Sequence, residues 1–271
     1  MGKTLIPESV NIMKKAVLFL MFAGLFPAAN AAEFDYMDSK NWHPRQNVTF
    51  SDGAIMVNGK AELYCRKIFP VDPAKRYIVK VTATRTSGTK PSLVYVVLNP
   101  LDSSRRWISA NTVSPAAGTE TQLTAPVKSG DKVIFVKDAS KWKLSCKGGI
   151  HYNAKADLSD LPNSLNLNSN PVKIQPDGKA WKIELDKPVK VSLPAGLTIR
   201  QANSGGYFHV GAKYIFTTHN FNASLQGNSA PPAPGKWWKG VEYTNLILLV
   251  NWNKEAKDNT VKITDISITE E

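Results

Sequence analysis

Seven tryptophans are the side chains with most to offer a ligand: Trp42, Trp107, Trp142, Trp181, Trp237, Trp238 and Trp252. A sugar ring presents C–H bonds on its face. A flat indole stacks on that face while polar neighbours read the hydroxyls. Three of these positions are flanked by cations. Trp107 follows Arg105 and Arg106, Trp142 lies between Lys141 and Lys143, and Trp237-Trp238 lies between Lys236 and Lys239. Arginine suits a bidentate contact with a carboxylate or sulfate. The pattern predicts Arg105, Arg106, Trp107, Trp142, Trp237 and Trp238 as ligand-binding residues for carbohydrate, in particular an anionic polysaccharide. The competing reading is that these indoles pack in the core or under loops beside solvated lysines. Trp181 and Trp252 fall inside strand patterns and are expected in the core.

Catalytic groups are less well marked. His151-Tyr152 and Tyr207-Phe208-His209 could each supply an acid/base pair. Glycosidic hydrolysis needs two facing carboxylates, and nothing in the sequence pairs Glu184 with Glu242. No G-x-S-x-G, H-E-x-x-H or phosphate-binding loop occurs. The sequence therefore assigns no catalytic residue. Cys65 and Cys146 are the two cysteines. They are expected to form a disulfide in an exported protein, the alternative being two buried free thiols. Neither has the spacing of a zinc site.

The chain opens with an address. Lys14 and Lys15 precede the apolar run 16–26, then Pro27 and the small residues Ala28-Ala29-Asn30-Ala31. This order is that of a secretory signal peptide cleaved after Ala31, and the run is too short for a membrane anchor. Met13 is an alternative start. The chain carries 34 Lys and Arg against 22 Asp and Glu, a formal net charge of +12. Removal of residues 1–31 takes away three lysines and one glutamate and leaves the protein strongly basic. Such a charge attracts polyanions over long range. No nucleic-acid recognition motif accompanies it. No later segment is apolar enough to be a transmembrane segment.

The elements that must position these residues read as strands. Apolar and β-branched runs recur at 54–57, 63–68, 77–84, 93–98, 121–124, 132–136, 180–185, 189–193, 197–201, 207–217, 246–252 and 260–269. In Tyr77-Ile78-Val79-Lys80-Val81-Thr82-Ala83 the odd-numbered residues share one face. In the last run the phase shifts at Asp265-Ile266, which predicts a bulge or a buried Asp265. Turn residues such as Asn58-Gly59 and Ser204-Gly205-Gly206 separate the runs, and no window carries a helical stripe. The proline-rich stretch 227–235 is expected as an exposed loop. Many short strands with regular turns predict an all-β protein, a jelly-roll β-sandwich of antiparallel sheets, as one domain over residues 32–271. Two halves joined by a linker at 157–178 are the alternative.

The order of three segments resembles the jelly-roll carbohydrate-binding modules with a galactose-binding-like fold. They are Phe69–Val79, Lys236–Val250 and the closing strand Val261–Ile268. The resemblance implies a secreted, non-catalytic carbohydrate-binding protein. In similar modules an Asp of the closing strand helps to ligate a structural calcium, together with acidic residues near the domain start. Here Asp265 matches that strand position, with Glu33 and Asp35 as its partners. Calcium takes six to eight oxygen ligands, which distant strands can supply together. Residues 207–214 also resemble the Y-F-K-A-G-x-Y strand of jelly-roll alginate lyases. They depart from it in placing His209 where that family has lysine, and the family's R-T-E-x-R strand and Q-I-H triplet are missing. A polysaccharide lyase is thus the first alternative function, and a structural or surface-adhesion protein the second.

Overall fold

The computed structural model describes residues 34–271. The expected signal peptide and Glu33 lie outside the described residues. Residues 35–271 form one unit made almost wholly of strands, with one four-residue α-helix, Ala110–Val113, and two short 3-10 turns among the described residues.

Two antiparallel sheets form the main sandwich. The first has the strand order Val48–Ser51, Ala54–Asn58, Thr260–Glu270, Tyr77–Ser87, Thr218–Leu225. The second has the order His209–Ile215, Ser92–Leu101, Tyr243–Val250, Ala61–Tyr64, and the short strand Phe69–Pro70 also pairs with Tyr243–Val250. Beyond the first hairpin the chain passes repeatedly from one sheet to the other, so sequence neighbours face each other across the core. The period-two pattern explains what fills that core. Ile55, Val57, Val79, Val81, Ala83, Val261 and Ile263 of the first sheet are sealed, as are Leu63, Val94, Val96, Leu98, Leu246, Leu248 and Val250 of the second. Alternate residues point to opposite faces of a strand, and each of these sets keeps to one face.

Residues 114–203 are inserted between Ser92–Leu101 and His209–Ile215. Their strands pair with one another. One sheet runs Leu165–Asn166, Ile150–Tyr152, Thr198–Gln201, Thr121–Gln122, and the other runs Pro171–Asp177, Ala180–Leu185, Val133–Val136. The chain enters and leaves side by side, since Pro115 bridges Ala202 and the Ala116 N–H donates to the Gln201 carbonyl. This unit has its own core, with Leu123, Ile134, Val136, Trp142, Ile150, Ile183 and Ile199 all buried.

The all-β expectation holds, and most expected strands are present. Residues 189–193 are not a strand, although Leu193 makes an isolated bridge to Val127. Residues 157–178 are not a linker. Leu161 and Leu167 are buried there and Pro171–Asp177 is a strand. The closing strand does bulge between Thr264 and Ser267, but Asp265 is exposed, with φ 53°.

The inserted unit buries charge. Arg200 is sealed and donates to Asp160 Oδ2 at 2.5 Å and to the Lys155 carbonyl at 3.0 Å. His151 faces Arg200 across the ladder, fully buried, with neither ring nitrogen hydrogen-bonded. Burial, and then the Arg200 charge, push the imidazole down from 6.5 to about 4. The unfolded chain therefore binds this proton more readily than the folded one. Stability present above the unfolded value is lost as the pH falls towards the folded one. Between about pH 7 and about pH 5 the loss is roughly 2 kcal/mol from this group. Urea titrations at those two pH values should show that difference in the native protein and a smaller one in His151→Gln.

Candidate functional site

The outer face of the second sheet departs from the usual polar exterior. Residues directly opposed in an antiparallel ladder point to the same side. The registers place Tyr243 beside Leu101, then Asn245 beside Asn99. Next come Tyr64, Ile247, Val97 and His209 in one row, then Glu62, Leu249, Tyr95 and Ala212 in another. Tyr214 lies beside Leu93 at the far end. Successive rows are two residues apart, or about 7 Å.

The floor of this face is apolar. Val97, Ile247 and Leu249 are buried, and Tyr64, Tyr95, Tyr207 and Trp252 pack over them half-exposed. Tyr207 comes from the loop that returns from the insertion. A bulge between His209 and Gly211 follows it and sets His209 opposite Val97. Gly211 is required there, because a Cβ would stand 2.6 Å from the Phe221 ring.

A polar network lies on this cover. The Tyr64 hydroxyl donates to Glu62 Oε2 at 3.0 Å and stands 3.4 Å from the Tyr207 hydroxyl. Burial, then hydrogen bonds to Tyr207 and Glu62, hold the Tyr64 phenol above its ordinary range, so it is protonated at neutral pH. The Arg45 guanidinium lies 5.8 Å from the Tyr64 ring centre, and its Nε donates to the Glu62 carbonyl. The His209 ring sits 4.6 Å from Tyr95 and 6.2 Å from Tyr207. Desolvation lowers its pKa, so its imidazole is neutral at pH 7. Asn99 Nδ2 donates to Asn245 Oδ1, and Asn245 Nδ2 donates to the Cys65 carbonyl. Cations rim the face. Lys60 Nζ is 3.7 Å from the Trp252 ring centre, and the Arg105 guanidinium is 5.3 Å from that of Tyr243.

The structure redistributes the residues expected to bind. Trp237 is 0% exposed and Trp238 5%. Trp237 packs edge-on against Tyr77 and near Phe208, and Trp238 also meets Phe208. The doublet forms a two-residue parallel strand with Asn228–Ser229, which pins both indoles inside. Trp142 is 6% exposed, and its indole N–H donates to the Thr119 carbonyl in the core of the insertion. These three indoles offer no face to a ligand, which corrects their expected role. Trp107 is 54% exposed. With Asp102, Arg106, Ile108 and Pro162 it lines a pocket of about 270 Å³. Arg106 is held there by Asp102 at 2.8 Å. Trp181 is half-buried against the core of the insertion, whereas Trp252 belongs to the cover of the outer face.

The expected disulfide is absent. Cys65 and Cys146 are both free and buried, Cys65 in the sandwich and Cys146 in the insertion, near Asn203 Oδ1. Burial pushes the Cys65 thiol up. Among the described residues no group of three acidic, histidine or cysteine side chains is placed to hold a metal ion. Asp35 accepts the Met37 N–H, and Asp265 accepts the Thr264 hydroxyl. No helix among the described residues is long and apolar enough to cross a membrane. Comparisons with family models, curated proteins and solved structures return no match to this chain.

Sequence reasoning singled out Tyr207 and His209, Arg105 and Trp107. It missed Tyr64, Tyr95, Glu62 and Asn99, whose only signal is an aromatic or polar residue at alternate strand positions. Two measurements check the burial pattern. Trp237→Ala should lower stability by about 3–5 kcal/mol in chemical denaturation, against roughly 0.5 kcal/mol or less for Trp107→Ala. Thiol titration of the denatured, unreduced protein should find both cysteines reactive.

Proposed function

We propose that this is an exported carbohydrate-binding protein that holds an anionic glycan on the outer face of its second sheet. The observation that carries the reading is the row of half-exposed rings, Tyr64, Tyr95 and Tyr207, over the apolar floor Val97, Ile247 and Leu249. Such rings stack on the C–H faces of sugars. Glu62 and His209 lie on the same rows as Tyr95 and Tyr64, with Asn99 and Asn245 on the adjoining row, and these groups can exchange hydrogen bonds with hydroxyls. Arg45, Lys60 and Arg105 at the margin match a carboxylated or sulfated chain. The basic net charge adds long-range attraction.

One arrangement favours a second reading, a polysaccharide lyase. Tyr207 and a neutral His209 stand together on this face. In an elimination a base removes the proton next to the uronate carboxylate. The C–O bond to the leaving sugar breaks as a double bond forms, and an acid protonates the leaving oxygen. His209 would be the base and Tyr207 the acid.

A panel of uronic-acid and sulfated polysaccharides separates the readings. Calorimetry should show binding to at least one, weakened about tenfold in Tyr207→Ala, a loss of roughly 1.4 kcal/mol, in a variant that circular dichroism shows to be folded at the assay temperature although its melting temperature falls. Affinity unaltered by that substitution would remove this face from the reading. Release of unsaturated product, followed by ultraviolet absorbance and abolished in His209→Gln, would establish the lyase.

A further inference from the structure

The binding face does not end at Tyr95. Beyond it lies a groove of about 590 Å³, lined by Leu93, Tyr95, Ala212, Lys213, Tyr214 and Phe216. Tyr95 belongs to both regions, packing on the cover of the apolar floor and lining the groove. The two regions differ in chemistry. The rows up to Tyr95 carry Asn99, Asn245, Glu62 and His209, all able to read hydroxyls. The groove carries no amide, carboxylate or imidazole. Its polar side-chain atoms are the two phenol hydroxyls, because Lys213 pairs with core-facing Val94 and so points to the other side of the ladder.

The groove also holds two of the most exposed apolar side chains among the described residues, Phe216 at 64% and Tyr214 at 51%. A contiguous exposed apolar patch marks a place where something apolar is received. A bare, polyhydroxylated sugar suits it poorly, because each hydroxyl desolvated there without a partner carries a cost. An ester-linked acyl group suits it well. It is apolar, has a single carbonyl acceptor for a phenol, and projects sideways from a glycan held over the neighbouring rows.

We propose that the Leu93–Phe216 groove receives an acetyl ester, so that the protein selects O-acetylated over unsubstituted glycan. This rests on the assignment of the adjoining face to carbohydrate. The continuity through Tyr95 argues for a substituent of the same ligand rather than a separate partner.

The test uses one polysaccharide in two states, acetylated glucuronoxylan and the same material after alkaline deacetylation. Calorimetry is run on the native protein, Phe216→Ser and Tyr214→Ser. Both variants change exposed side chains and should fold normally. The native protein should bind the acetylated form at least about fivefold more tightly, a difference of roughly 1 kcal/mol. Phe216→Ser and Tyr214→Ser should lose that preference and keep the native affinity for the deacetylated form. Equal affinity for the two forms overturns the proposal and leaves the glycan-binding face standing. Binding of neither form by a protein that binds another glycan of the panel also overturns it as stated for acetyl esters. Binding of no glycan at all overturns both readings. Light scattering gives a further check. A dimer that dissociates on Phe216→Ser would assign the groove to a second copy of this chain and overturn the proposal.

Discussion

The constraint on which the rest depends is the double burial of Tyr243–Val250. From Leu246 to Val250 every side chain is sealed, on both sides of the strand. Leu246, Leu248 and Val250 are covered by the opposite sheet, as in any sandwich. Ile247 and Leu249 point the other way, where a two-layer protein meets water. Leaving them bare would cost about 25 cal/mol for each Å² of apolar surface exposed. Tyr64 and Tyr95 of the same sheet, with Tyr207 and Trp252 from the adjoining loops, provide the cover over the strand. The rings that a ligand would meet are thus the same rings that shield the strand. The proposed binding surface and the structural cover are one layer.

That shared role explains the chemistry of the face. A cover made of phenols brings hydroxyls with it, and these must be satisfied where they are partly withdrawn from water. Tyr64 settles this with Glu62 and Tyr207, while Asn99 Nδ2 donates to Asn245 Oδ1 and Asn245 Nδ2 to the Cys65 carbonyl. The result is a preorganised array of donors and acceptors that needs little rearrangement to exchange a protein partner for a hydroxyl of a ligand.

The sandwich was largely legible in the sequence because alternation is a local property. Tyr77 to Ala83 reads correctly from seven residues, and the bulge in Thr260–Glu270 shows as a phase shift at Asp265. Strands too polar to alternate, such as Thr218–Leu225 and Pro171–Asp177, left no such trace. The insertion was invisible because its closure, Pro115 to Ala202, joins residues far apart in the chain. The tryptophan doublet misled for a related reason. Flanking lysines suggest exposure, yet Trp237 is sealed by Tyr77 and Phe208, which only the folded chain brings near it. The candidate site was legible only at Tyr207, His209 and Arg105. Its other members come from the strands Ala61–Tyr64, Ser92–Leu101 and Tyr243–Val250, which lie far apart in the chain and which pairing alone assembles.

The side-by-side entry and exit of residues 114–203 has a consequence for how the two cores relate. To the parent sheets the whole inserted unit is equivalent to a short connection between Ser92–Leu101 and His209–Ile215. Lengthening a connection whose ends are already fixed adds only a slowly growing entropic term. The guest can therefore drift in sequence, swell or shrink without disturbing the host's strand register, except where it touches the host, with the Leu158 carbonyl accepting from Lys239 Nζ and Pro162 packed against Gly240. The host's tolerance also ends at the returning loop, because Tyr207 leaves the guest only four residues beyond Asn203. Any change that tugs on this hinge is delivered directly to the ring layer above Ile247.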